Sequence, residues 1–227
     1  MRYILMSLIS LMMPVLPTRA EVLLEDDFSG DLSENWVVFG DPIPYIDSTA
    51  GSPSPSFCNN GDSMYGSGVI SREAFSVEGG LILEADIYLA CSERGAWVHA
   101  AIGFVSPDYI DGENPDERML ADIGFSYLGE LNWLRPHLGL VMRIGGRTEE
   151  GRFHREHVHA DSLLADWHRL TVELDEDGLL AWLLDGEPLY STTSPIQAGS
   201  DSVRIHLGGR STHWGIALHD NVILRRP

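Results

Sequence analysis

The sequence predicts an all-β chain folded as two antiparallel sheets packed face to face. Three observations carry this. Apolar and polar residues alternate with period two in one segment after another, the segments are bounded by Gly, Asp, Asn and Pro, and helical periodicity is nearly absent beyond the first twenty residues. Many short strands without helices bury their apolar faces only against a second sheet.

Residues 1–20, MRYILMSLISLMMPVLPTRA, read as a secretory signal peptide. Arg2 precedes an apolar stretch, and small residues Thr18 and Ala20 stand at the positions a signal peptidase inspects. The apolar run is too short to cross about 30 Å of hydrocarbon, which argues against a membrane anchor and against insertion once the signal is cleaved. Residues 21–227 then form one domain, because no linker separates two halves of different periodicity. The expected location is secreted, either periplasmic or extracellular.

Within that domain, GLILEADIYLAC alternates most cleanly. Leu81, Leu83, Ala85, Ile87 and Leu89 share one face, and Glu84, Asp86 and Tyr88 share the other. Further strands are expected at 96–105, 120–127, 137–144, 153–159, 167–174, 179–184, 203–207 and 216–224. Asp175–Gly178 and Asp185-Gly186 are hairpin turns between neighbouring strands. Residues 161–166 suit one short helical turn. Residues 40–68, rich in Pro, Ser, Gly and Asn, read as a long surface loop, and 106–118 as an acidic one.

Fifteen Arg, no Lys and 34 acidic residues give a net charge of −19, and removing the signal leaves −21. Such a chain repels nucleic acid and anionic membrane, because phosphate binding depends on clustered positive charge, so nucleic acid is not an expected partner. Cys58 and Cys91 are the only cysteines, and an exported chain with an even count predicts one disulfide between them. Closing that loop is worth roughly 3–4 kcal/mol in the chain-entropy model. Two buried thiols are the alternative.

Four segments resemble the concanavalin A-like lectin/glucanase superfamily, whose jelly rolls include glucanases and laminin-G-like modules. They are EDDFSGDLSENW, GSGVISREAFSVEGGLILEADIYL, WHRLTVELDEDGLLAWLLDGEPLY and the closing HDNVILRR. The resemblance implies a jelly roll over nearly all of residues 21–227. It also implies a position for the paired carboxylates of a retaining glucanase, Glu-x-Asp-x-Glu on one strand. Neither candidate strand has them: from Glu84 and Asp86 the third position is Tyr88, or Leu89 if bulged. In LADIGF, Asp122 matches the central Asp but is flanked by Leu120 and Gly124.

The expected activity is therefore non-catalytic carbohydrate binding. Candidate ligand-facing residues are Glu84, Asp86, Tyr88, Trp97, His99, Asp122, Trp133, His137, Arg143 and His157. Trp97 and Trp133 offer rings for stacking on a sugar, whereas Trp36, Trp167 and Trp182 fall in core-like segments. His157 and His159 would lie about 6–7 Å apart on one strand and are a partial zinc pattern. Two alternatives stay open. One is an enzyme, either a polysaccharide lyase using Tyr88, His99, His137 and Arg143 on one face or a hydrolase with an unrecognised acid pair, and the other is a structural or adhesive envelope module that contacts protein. By the same resemblance, Asp220 in HDNVIL matches a position that ligates a structural calcium, with Asp26 and Asp27 nearby at the chain's start.

Overall fold

The computed structural model describes residues 20–40, 43–58, 67–91, 97–108, 119–128, 137–144, 153–156, 166–196, 200–211 and 215–227. The signal segment and the expected turn at 161–165 lie outside them. The described residues form two antiparallel sheets, each of eight strands, as alternation predicts.

The first sheet, sheet A, runs in the order β14 (Glu187–Ser191), β13 (Leu180–Leu184), β12 (Trp167–Leu174), β7 (Leu81–Cys91), β16 (Gly215–Arg225), β4 (Ser56–Cys58), β3 (Tyr45–Asp47). β1 (Val22–Asp26) pairs with the far end of β16. Sheet B runs β11 (Phe153–Glu156), β10 (His137–Ile144), β9 (Met119–Leu128), β8 (Trp97–Val105), β15 (Ser202–Ser211), β5 (Ser67–Ser71), β2 (Trp36–Gly40), with β6 (Phe75–Ser76) on β15.

Between the sheets lies one apolar layer. Leu81, Leu83, Ala85, Ile87 and Leu89 of β7 face Ala100, Ile102 and Phe104 of β8, all with 1% exposure or less. Trp36, Phe57 and Trp182 fill the space around them. Each fully buried Leu or Ile stabilises the fold by roughly 1.5–3 kcal/mol, so this layer is what holds the sheets together. Trp167, also expected in the core, is only half-buried, because its position on β12 falls in the outward series beside Tyr88.

The two expected hairpins form as their sequences dictate. Asp185 and Gly186 both take positive φ, 52° and 81°, the geometry of a tight Asp-Gly turn whose twist matches β13 and β14. At the other turn the Asp175 carboxylate accepts N–H bonds from Asp177 and Leu179 at 2.9 and 2.8 Å.

Three expectations are corrected. Residues 40–68 are not one loop: β3 and β4 lie within it, and Phe57 is fully buried in the core. A helical turn, α1 (Leu32–Asn35), escaped the periodicity because one turn is too short to repeat; Asp31 caps it by accepting the Ser33 N–H at 2.8 Å. The Cys58–Cys91 bridge is overturned by register. Cys58 pairs with Leu218 and Cys91 with Gly215, on opposite sides of β16. Two strand spacings are about 10 Å, whereas a disulfide needs Cα atoms within roughly 7 Å. Cys91 is moreover three residues beyond Tyr88, the residue opposite Leu218, so the two cysteines occupy positions of opposite parity.

Candidate functional site

The site candidates divide between the sheets. Glu84, Asp86 and Tyr88 lie on β7, on the outward face of sheet A, and all three are engaged within the fold. Asp86 is held by Arg169 of β12, Nε to Oδ1 at 2.8 Å and Nη2 to Oδ2 at 3.0 Å. The Arg225 Nε donates to Glu84 at 3.3 Å. Tyr88 packs on Trp167 with ring centroids 5.5 Å apart. Tyr88 is thus on the other sheet from His99, His137 and Arg143, and the single face that a lyase reading needs does not exist. Glu84 and Asp86 thus already accept arginine hydrogen bonds within the sheet.

The remaining described candidates come together on sheet B. Val203, Ile205 and Leu207 of β15 and Ala100, Ile102 and Phe104 of β8 face the core, so the alternate positions form the outer face. Register lines these positions up strand by strand. One row runs Ile70, His206, Gly103, Asp122, Arg143 from β5 to β10. The next runs Gly68, Gly208, Ala101, Gly124, Val141, Arg155. A third joins Arg210, His99, Ser126 and Gly139, and a fourth Trp97, Leu128 and His137. Five candidates, Trp97, His99, Asp122, His137 and Arg143, therefore occupy one series. Trp133, His157 and His159 lie outside the described residues.

Small residues make the second row the floor of the face, and two of them are required to be small. A Cβ on Gly208 would lie 2.7 Å from the His206 Nε2, and one on Gly68 would lie 2.2 Å from the Leu207 carbonyl oxygen. The rings of His206 and Phe39 stack at 5.6 Å over this end of the row. Phe39, Ile70 and Val105 form an apolar cluster there, separate from the main core. At the outer positions, Phe39 of β2, Ile70 of β5 and Val105 of β8 are consequently buried, and the polar candidates stand farther along β8, β9 and β10.

His206, Arg204, Arg210 and Arg155 were not among the candidates. Their signal is legible in the sequence: RIHLGGR places Arg204, His206, Gly208 and Arg210 at alternate positions of an expected strand.

At the glucanase position, Asp122 lies in the outer series with Gly124 beside it, and Leu120 is buried against the core. Neither neighbour carries a carboxylate, so the acid and nucleophile of a retaining glucanase are missing from this strand.

The expected calcium position at the seam of the chain's ends is also described. Asp220, fully buried, sits where β16 bulges between β4 and β1. Its carboxylate accepts the backbone N–H groups of Ser52 and Asn221. The Asn221 side-chain amide donates to the Ser52 carbonyl at 2.7 Å and to Asp86 at 2.8 Å. Burial, with the charges of Asp86 and Asp27 behind it, pushes the Asp220 carboxyl above its ordinary pKa even against those two bonds. Asp26 is unsuited as a ligand, because it accepts from the Phe28 N–H, the Asn35 amide and the Trp36 indole at 2.7–2.9 Å. Asp27 accepts from the Ser29 N–H. Among the described residues no group of three His, Cys, Asp or Glu is arranged to hold a metal. Both oxygens of the Asp220 carboxylate are taken by N–H donors, and the residues present do not fit calcium.

No protein-family model matches the sequence, and neither does any curated protein. Solved structures do match in fold. The carbohydrate recognition domain of Emp47p superposes with a TM-score of 0.60 at 10% identity, covering 91% of this chain and 95% of that one. A lectin from Bauhinia forficata in complex with GalNAc gives 0.56 at 9%, covering 91% and 98%. A glycoside hydrolase family 16 endo-glucanase from Bacteroides ovatus, in complex with G4G3G-2F-DNP, gives 0.57 at 13%, covering 88% and 98%. The chain shares the two-sheet jelly-roll fold of these lectin and glucanase structures. At these identities the likeness is one of fold, so what the face does rests on its own residues. Among the described residues no helix is long and apolar enough to cross a membrane.

Proposed function

We propose that the protein is an exported, non-catalytic, lectin-like module that binds carbohydrate on the outer face of sheet B. The observation that carries this is the register that brings Trp97, His99, Asp122, His137 and Arg143 into one series while the positions flanking Asp122 lack carboxylates. A sugar needs stacking surface and a few directed polar groups, and this series supplies residue types for both. The lectins and glycoside hydrolases of the same fold support a glycan as the ligand class. The signal-like residues 1–20 support export.

Tryptophan-fluorescence titration of the purified domain against a panel of glycans tests the reading. Saturable quenching that weakens in His99→Ala and Trp97→Ala is the expected result. Quenching that survives both changes but is lost in Glu84→Ala would move the site to sheet A. Reducing-end or unsaturated-product formation by the unmodified protein would overturn the non-catalytic part.

A further inference from the structure

We infer that the ligand of this face is an acidic polysaccharide, one bearing carboxylate or sulfate groups along its length. The inference rests on the proposed carbohydrate site and names the class of sugar it takes.

It comes from how the fold sorts charge. The whole chain has 34 acidic residues against 15 Arg. The outer strand positions of sheet B reverse that balance: Arg204, Arg210, Arg143 and Arg155 stand there against a single carboxylate, Asp122. Three histidines, His99, His137 and His206, share the series. On the opposite sheet the arginines are matched with acids, Arg169 with Asp86, Arg225 with Glu84 and Arg226 with Glu21. Asp122 stands opposite Arg143 in register, and no other outer strand position described on this sheet carries a carboxylate. The Arg204 Nε is buried without a hydrogen-bond partner among the described residues, a donor set beside the apolar end of the face.

The positions are spread as a polymer requires. From β15 to β11 the face spans four strand spacings, about 19 Å, with Arg210 and Arg155 on its two outermost strands. A planar guanidinium suits carboxylate and sulfate because it donates two parallel hydrogen bonds, and the chain uses Arg alone, with no Lys. The chain's overall negative charge opposes a polyanion only at a distance. At physiological salt the screening length is about 8 Å, shorter than the face is wide, so the local cations decide what touches it.

Affinity electrophoresis of the folded domain through gels containing polygalacturonate, alginate, a neutral β-glucan or double-stranded DNA tests the assignment. Retardation by the two acidic polysaccharides is expected, fading between about 50 and 200 mM salt. Arg143→Gln with Arg210→Gln should weaken it at least about tenfold, the loss of one or two charge-assisted hydrogen bonds. Arg226→Gln, on the other sheet, should leave it unchanged, and circular dichroism checks that the double variant is folded. The salt dependence is read on the unmodified protein and does not rely on that variant. Retardation by the neutral glucan alone would overturn the acidic class and leave the carbohydrate reading standing. Retardation by none of the sugars would overturn both, and equal retardation by DNA would show charge binding without selection for sugar.

Discussion

Arg169 grips Asp86 through both carboxylate oxygens, at 2.8 and 3.0 Å, and Asp86 lies directly across from the buried Asp220 in the β7–β16 register. The arginine therefore offsets one of two adjacent carboxylates. Arg169→Ala should destabilise the domain by about 1–2 kcal/mol, a figure held down because the guanidinium is itself 40% exposed. Arg169→Lys should not restore the loss, since an ammonium cannot make the paired contact. Urea midpoints at equal m-value measure both, and glycan binding should be untouched in any variant that folds.

Gly208 tests the floor of the face. Its added methyl would meet the His206 ring at 2.7 Å and the Ser67 carbonyl oxygen at 2.8 Å, and the carbonyl cannot swing away as a side chain can. Gly208→Ala should cost about 1–3 kcal/mol and displace His206 from its stack on Phe39. A drop in both thermal midpoint and ligand retardation is expected, and a variant with unchanged stability would mean that β15 and β5 separate more easily than their pairing implies.

His219 makes stability depend on pH. It is fully buried between the sheets, and its Nε2 donates to the Ala101 carbonyl at 3.1 Å, a bond that the neutral and the charged ring can both make. Burial lowers its pKa from 6.5 to about 4, with the Ala101 bond working weakly the other way. Below pH 6.5 the unfolded chain takes up a proton that the folded chain refuses until about pH 4, so stability falls as pH drops through that window. The loss attributable to His219 is about 2 kcal/mol at pH 5. Comparing urea midpoints at pH 7 and pH 5 should show a smaller drop for His219→Leu than for the unmodified protein. Equal drops would assign the acid sensitivity to other groups.

Removing divalent cations should not move the melting temperature. The Asp220 carboxylate accepts two backbone N–H groups, and the Asn221 amide bridges Ser52 and Asp86 beside it. Differential scanning with chelator and then with excess calcium checks this. A calcium-dependent rise that Asp220→Ala abolishes would establish the metal by mass action.

Much of this architecture was legible in the residues alone. Alternation is local, so the strand from Leu81 to Cys91, its inward leucines and the Asp185-Gly186 turn could be assigned without knowing any neighbour. The family resemblance, not local chemistry, pointed to Leu120 and Gly124 as standing where a glucanase carries its glutamates. What alternation cannot convey is which strands adjoin and which face of a sheet meets the core. Tyr88 and His99 are eleven positions apart on successive strands, yet the crossing between sheets sends them to opposite sides of the sandwich. Arg210, His99 and Ser126 are distant in the chain and become neighbours only through antiparallel register. Cys58 and Cys91 looked like a pair by number and were parted by β16, because hydrogen-bonded pairing, not cysteine count, sets how far apart two strands lie. The gathering of arginines on an acidic protein is of the same kind: composition records their number, and only the packing of the sheets decides that they share a face.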